Sequence, residues 1–177
     1  MIDAAGFGRA LFELAGENGT TQRIHEELAV ICQALREQPD YVTLLDTPAV
    51  AVEEKLELLR TSLGAAEPML LNCLCILCEK RAMHRLAACA AAYDACYDES
   101  LGIVRATAIT AVPMQERQKT ALCRKLEAIT GKTVVWTNRT DERLIGGITL
   151  RYGGVQLDGS IRSRLERLRR SLRETIV

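Results

Sequence analysis

Aromatic residues make up only 4% of the 177-residue chain, with one Trp, two Phe and four Tyr. With so few large flat side chains, and with Ala and Leu abundant, the composition favours closely packed helices over a large mixed sheet. Histidine is as scarce: His25 and His84 are the only two. Neither stands near an obvious nucleophile, which leaves little material for acid–base or Ser–His chemistry. Long apolar runs are missing too. The longest, Met69 to Cys78, is about half the roughly 20 residues of a membrane span and is interrupted by Asn72, so no direct membrane insertion is expected. The start, Met1-Ile2-Asp3-Ala4, lacks a basic region followed by an apolar one, so no signal peptide is expected either.

What is present describes a folded protein. Apolar residues reach 48% and charged residues 26%, the balance of a globular chain and not of a disordered one. Net charge is zero overall, but residues 1–100 carry 8 Lys and Arg against 16 Asp and Glu, whereas residues 101–177 carry 15 against 7. Such asymmetry points either to two modules of which the second meets an acidic partner, or to two domains of opposite sign that attract each other or stay soluble. Seven cysteines are an odd number, and several fall inside apolar helical runs, as reduced thiols acting as small hydrophobes do.

The first hundred residues have helical period throughout. Gly6 to Ala15 forms a first helix with Phe7, Leu11 and Leu14 on one face. Its glycines, Gly6 and Gly8, cost about 1 kcal/mol each in a helix, so either another helix approaches closely there or they sit near a frayed end. A second helix runs from Thr20 or Thr21 to Gln38, inward at Ile24, Leu28, Ile31 and Leu35. After a short segment, Thr47-Pro48 reads as an N-cap with Pro at the first helical position, opening a helix striped by Val52, Leu56, Leu59 and Leu63. The next helix, opening at Glu67-Pro68, is apolar almost all round. It is either central or partly exposed to receive a partner helix. A last helix extends from Arg81 or Ala82 to near Ser100.

Near Gly102 the period changes from 3.6 to 2. Val104 to Val112 reads as a strand, Gln115 to Thr130 as a helix inward at Leu122, Leu126 and Ile129, and Lys132 to Thr137 as a second strand. Ile148, Leu150 and Tyr152 alternate with Thr149 and Arg151, and Gly153-Gly154 supplies a hairpin turn before Val155 to Leu157. Asp158 and Ser160 are N-cap candidates for a final helix, in which Ile161, Leu165, Leu168, Leu172 and Ile176 form one apolar face, read as core. The predicted fold class is mainly α. A bundle of five or six helices over residues 1–102 precedes a small α/β module over residues 103–177, in the order strand-helix-strand-strand-helix.

Motifs for bond chemistry fail on inspection. Gly131-Lys132-Thr133 lacks the upstream Gly of a phosphate loop, with Leu126 in its place, and lies between a helix and a strand in the wrong order. Gly6-x-Gly8 lacks the third Gly of a dinucleotide site and no strand precedes it. Cys73, Cys75 and Cys78 have no second Cys-x-x-Cys pair to complete four ligands, so no metal is assigned. No cofactor and no catalytic residue are assigned, and the chain is not read as an enzyme. The Arg-rich last helix could bind phosphates, which keeps an RNA-binding module as the alternative function, although stacking aromatics are few. An Arg face turned to solvent or to an acidic partner is the commoner outcome, and no nucleic acid is assigned as partner.

The motif Asp141-x-x-Leu144-Ile145-Gly146-Gly147, followed by Asp158-Gly159-Ser160-x-x-x-x-Leu165-x-x-Leu168, resembles the delta subunit of F-type ATP synthases, whose mitochondrial counterpart is the oligomycin-sensitivity-conferring protein. Weaker matches are Arg9 to Ala15, Leu45-x-x-Pro48 with Lys55, Asn72-x-Leu74 and Arg81. Phe7-Gly8 and Cys73 depart from the family pattern of Tyr-Ala and Phe. The resemblance implies a non-catalytic stator, present in one copy in a hetero-oligomeric complex. In such a protein a six-helix bundle grips the N-terminal helix of an alpha subunit through its first and fifth helices, and the second module engages the b-type subunits of the peripheral stalk. Carried onto this chain, the head contact involves Phe7, Leu11, Leu14, Leu71, Cys75 and Cys78, and the stalk contact Arg162, Arg169 and Arg173. Gly146 and Gly147 are expected to serve the backbone, where a Cβ would clash. The expected location is the cytoplasmic face of a bacterial membrane, held there through the complex.

Overall fold

The computed structural model describes residues 3–141 and 143–175, with side chains described up to 167 and at 169. The expectations for Leu168, Leu172 and Arg173 as side chains, and for Ile176, lie outside these. The described chain is mainly helical with one four-stranded sheet and divides into two compact units, Met1–Tyr97 and Asp98–Val177.

The first unit contains α1 (Ala4–Asn18), α2 (Thr21–Glu37), α3 (Pro39–Asp46), α4 (Val52–Leu63) and α5 (Pro68–Glu79), then a 3-10 turn at Met83–Arg85 that leads into α6 (Leu86–Ser100). Its core gathers Leu11, Ile24, Leu28, Leu45, Leu59, Leu70, Leu74, Leu77, Met83 and Tyr93, all buried. The apolar helix is the central one. Leu70, Cys73, Leu74, Cys75, Leu77 and Cys78 of α5 are buried, because a helix without a polar side is stable only where neighbours cover most of it. Gly8 brings α1 against α6: a Cβ there would lie 2.2 Å from the Cys89 carbonyl oxygen and 2.9 Å from Ala92 Cβ, so close approach accounts for this glycine.

Two local readings are corrected. The short segment before Thr47 is a helix, α3, with Pro39 in its first turn, where its missing N–H costs nothing. Thr47-Pro48 does not open a helix, since α4 starts after Ala51. Instead the Thr47 carbonyl accepts a hydrogen bond from Lys55 Nζ. Lys55 is buried, and a buried ammonium demands such a partner. The carbonyl end of α3 supplies it with favourable dipole sign. Asp46 ties the same end to the 3-10 turn, accepting from Met83 N at 2.8 Å and His84 N at 3.1 Å.

In the second unit the strands β1 (Ile103–Thr110), β2 (Thr133–Thr140), β3 (Ile148–Tyr152) and β4 (Val155–Asp158) form a sheet in the order β2-β1-β3-β4. β1 runs parallel to β2, with Ala106 opposite Trp136, and antiparallel to β3, with Ala108 opposite Leu150. The parallel pair requires a crossover, and α7 (Glu116–Thr130) provides it. Ala106, Ala108, Leu126 and Leu150 make the core. Small alanines on β1 let α7 lie close to the sheet. Both arms of the Gly153-Gly154 hairpin pair in the sheet, so the order is strand-helix-strand-strand-strand-helix, one strand more than expected. The last turn of α6 belongs to this unit and not to the first, because Asp98 accepts a two-pronged hydrogen bond from Arg105 of β1. That places the division before residue 98, where the sequence period alone points to 102.

α8 (Ile161–Thr175) differs most from expectation. Ile161 and Leu165, read as core, are 45% and 57% exposed. Ile129 of α7, read as inward, is exposed as well. Helical period identifies an apolar face but not whether anything within the chain covers it.

Candidate interaction surfaces

α1 and α5 pack against each other. Of the six residues expected on the head-binding face, three are at least partly exposed and three are buried in the chain by itself. Leu14 is 48% exposed, and Phe7 and Leu71 are half-buried. Leu11, Cys75 and Cys78 are buried. Leu11 faces the core because Ala4, Gly8, Leu11 and Ala15 form the inner stripe of α1, and Leu14 therefore turns outward. Cys78 Sγ donates to the Leu45 carbonyl at 3.8 Å, and burial pushes its thiol pKa up. It acts as a packed small hydrophobe. Ile76, 41% exposed on α5, is absent from that expectation, although Asn72 four residues before it and Glu79 three after share its helix face and are exposed too.

At the far end of the second unit, the Asp141 to Ser160 stretch closes a corner. Asp141 N donates to the Thr110 carbonyl at 2.9 Å and Asp141 Oδ1 accepts from Arg143 N at 3.0 Å, turning the chain out of β2. Leu144 is half-buried and Ile145 is 78% exposed. Gly147 has φ of +90°, and a Cβ there would lie 2.5 Å from the Gly159 carbonyl oxygen and 2.8 Å from Ser160 Cα. Gly146 accepts from Ile161 N at 3.0 Å and Gly159 donates to the Ile148 carbonyl at 2.9 Å. The glycine pair thus lets two backbone segments touch where α8 begins. Ser160 is the N-cap, its Oγ accepting from Ser163 N at 3.2 Å. Asp158 accepts from Ser160 N at 2.9 Å. That backbone hydrogen bond, followed by the Ser160 side chain, lowers its pKa below the ordinary carboxylate value. Arg162 and Arg169 are exposed on α8, Arg162 Nε lying 3.2 Å from Glu166 Oε1.

The family model described as ATP synthase delta (OSCP) subunit matches residues 4–172. This chain belongs to that family. Among the most similar relatives, an ATP synthase subunit delta of Lactobacillus gasseri is 32% identical over 172 residues, covering 97% of this chain and 94% of that protein. One from a Geobacillus species is 33% identical over 172 residues, covering 97% of each. A chain in the cryo-EM structure of the Toxoplasma gondii mitochondrial ATP synthase hexamer superposes with a TM-score of 0.76 at 25% identity, covering 97% of this chain and 98% of that one. These relatives lend no support to the RNA-binding alternative.

Family membership gives the residues noted for resemblance their physical setting. Lys55 holds the end of α3. Asp141, Gly146, Gly147, Gly159 and Ser160 shape the corner, and Asp158 braces the cap of α8. The two histidines are likewise occupied within the bundle. His25 Nδ1 lies 2.9 Å from Asp94 Oδ1 with its ring stacked on Tyr97 at 4.4 Å, and His84 Nδ1 lies 2.6 Å from Asp46 Oδ2. No helix among the described residues is long and apolar enough to cross a membrane.

Proposed function

We propose that this protein is the non-catalytic stator adaptor of an F-type ATP synthase. The first unit holds the N-terminal helix of an alpha subunit of the catalytic head, and the second unit holds the b-type subunits of the peripheral stalk. By resisting rotation of the head, the link lets proton-driven torque be used for ATP synthesis. The complex then stands at the cytoplasmic face of a bacterial membrane, with this chain attached through its partners. One observation carries the reading beyond family membership. Each unit presents large apolar side chains that are exposed on its helices: Leu14 of α1 and Ile76 of α5 on the first, and Ile161 and Leu165 of α8 on the second. An adaptor needs one apolar surface per partner, and an amphipathic helix laid on each is the simplest occupant.

The test takes the full chain and an alpha N-terminal peptide in a calorimeter. Leu14→Asp introduces a charge where the partner's apolar face should sit and is expected to weaken binding at least about tenfold. Leu14 is half-exposed, so the fold should survive. Unchanged affinity in a folded variant would remove the first helix from the head contact. Recovery of ATP synthase subunits with the tagged chain from detergent-solubilised membranes checks the assembly itself.

A further inference from the structure

Two of the free thiols meet inside the first unit. Cys73 of α5 and Cys89 of α6 belong to one core cluster, and their side chains hydrogen-bond to each other between the two helices. The Cys89 S–H is the donor. That bond lowers the Cys73 pKa below its ordinary value against the opposing effect of burial, and the same bond, followed by burial, raises the pKa of Cys89. Access is graded as well, since Cys73 is 7% exposed and Cys89 is fully enclosed. Elsewhere the trend is the reverse, because burial pushes the thiols of Cys32, Cys78 and Cys123 up. A thiol reacts as its thiolate, so Cys73 is the favoured nucleophile and already has a second thiol in contact. Cys75, two residues along α5, points away from it. The backbone behind Cys89 is braced by α1: a Cβ on Gly8 would lie 2.2 Å from the Cys89 carbonyl oxygen and 3.0 Å from Tyr93 N. Cys73 is also one of the positions at which the chain departs from the family pattern, so this contact is a feature of the chain itself.

We infer that Cys73 and Cys89 form a redox-sensitive modification site, whose substrate is a small peroxide and whose product is a reversible disulfide tying α5 to α6. The narrow opening over Cys73 selects an oxidant of a few atoms over a bulky disulfide. Cys73 thiolate attacks one peroxide oxygen. The S–O bond forms, the O–O bond breaks, and the departing hydroxide takes the proton that Cys73 released. Cys89 sulfur then attacks the sulfur of the resulting sulfenic acid. The S–S bond forms, the S–O bond breaks, and the second hydroxide leaves as water with the Cys89 proton. In all, two thiols lose two electrons and two protons, and one peroxide becomes two waters. The new cross-link closes the short segment between α5 and α6 and restricts the unfolded chain, so the oxidised bundle is the more stable form.

The experiment uses the full chain, folded and fully reduced, treated with hydrogen peroxide, then denatured, alkylated, digested and mapped by mass spectrometry. One cross-linked peptide pair joining Cys73 to Cys89 is expected, which dithiothreitol removes. The melting midpoint of the first unit should rise by about 4 °C or more. Cys89→Ser should halt the reaction at the Cys73 sulfenic acid, which dimedone traps, and Cys73→Ser should leave Cys89 reduced. If either variant fails to fold, the peptide map of the parent decides alone. Cys73 and Cys89 both recovered as alkylated thiols, with oxidation confined to Cys96 or Cys123, would overturn the inference. So would a cross-link joining any other pair. A Cys73–Cys89 cross-link that leaves the midpoint unmoved or lower would overturn the stabilising tether.

Discussion

Single residues decide where backbones meet. Gly8 and Gly16 both lie within α1, yet only Gly8 has another helix where its Cβ would be; Gly16 has nothing within 4 Å. Opposite effects are therefore expected. Gly8→Ala should cost about 2 kcal/mol or more, because the Cys89 carbonyl cannot yield without moving α6. Gly16→Ala should stabilise by about 0.5–1 kcal/mol through helix propensity. Urea titration of the two variants measures both signs. Tyr93 offers a pH signature at the same scale. Its ring is buried and its hydroxyl donates to the Thr21 carbonyl at 2.9 Å. Burial, followed by the neighbouring Tyr97 and Asp94, pushes its pKa up to about 12 from 10.0. The folded state therefore holds the phenolic proton more tightly than the unfolded chain. This contribution is fully present below pH 10 and is lost as the pH rises through about 12. Denaturation midpoints measured across that window should fall steeply for the parent and less steeply for Tyr93→Phe.

Among the elements, α5 and α8 have the same ambiguity in sequence and resolve it in opposite ways. Both show an apolar surface larger than a neighbour obviously needs. α5 is enclosed, leaving Ile76 to the outside, whereas Ile161 and Leu165 of α8 face outward. Cysteines contribute to this outcome. Cys73, Cys75, Cys78 and Cys89 are all buried in the first unit, as short side chains between helices. α3 illustrates a different dependence, since its end is held by Lys55 of α4 and by the bond from Met83 N to its own last residue, Asp46. Lys55→Ala should cost about 2–4 kcal/mol by emptying a buried site and leaving the Thr47 carbonyl unpaired, as a chemical melt would record.

The whole molecule consists of two units with separate cores. A single cooperative transition is not required of such a chain, and calorimetric unfolding is expected to resolve into two components. Gly8→Ala should lower one component, and Gly147→Val, whose Cβ would meet the Gly159 carbonyl at 2.5 Å, should lower the other. One merged transition displaced equally by both substitutions would show that the units unfold together.

Much of this architecture was legible beforehand, for local reasons. Helix and strand periods, the Gly153-Gly154 turn and Ser160 as a cap all depend on neighbours in the chain, and the folded molecule contains each of them. The Asp141 to Ser160 motif was likewise legible, since its spacing encodes a backbone crossing that only glycine permits. Burial was not legible. Periodicity places Leu11 and Leu14, or Leu126 and Ile129, on apolar helix faces, but which member is enclosed depends on where a distant helix or sheet arrives. The same holds for Leu165 and for a cavity beside Val112, whose walls come from three separate stretches of chain, 110–114, 118–122 and 146–148. Sequence by itself determined most of the elements and the family, because both reside in short-range pattern. Only the tertiary structure decided which apolar residues are core and which remain for partners, because that division is a property of packing between segments far apart in the chain.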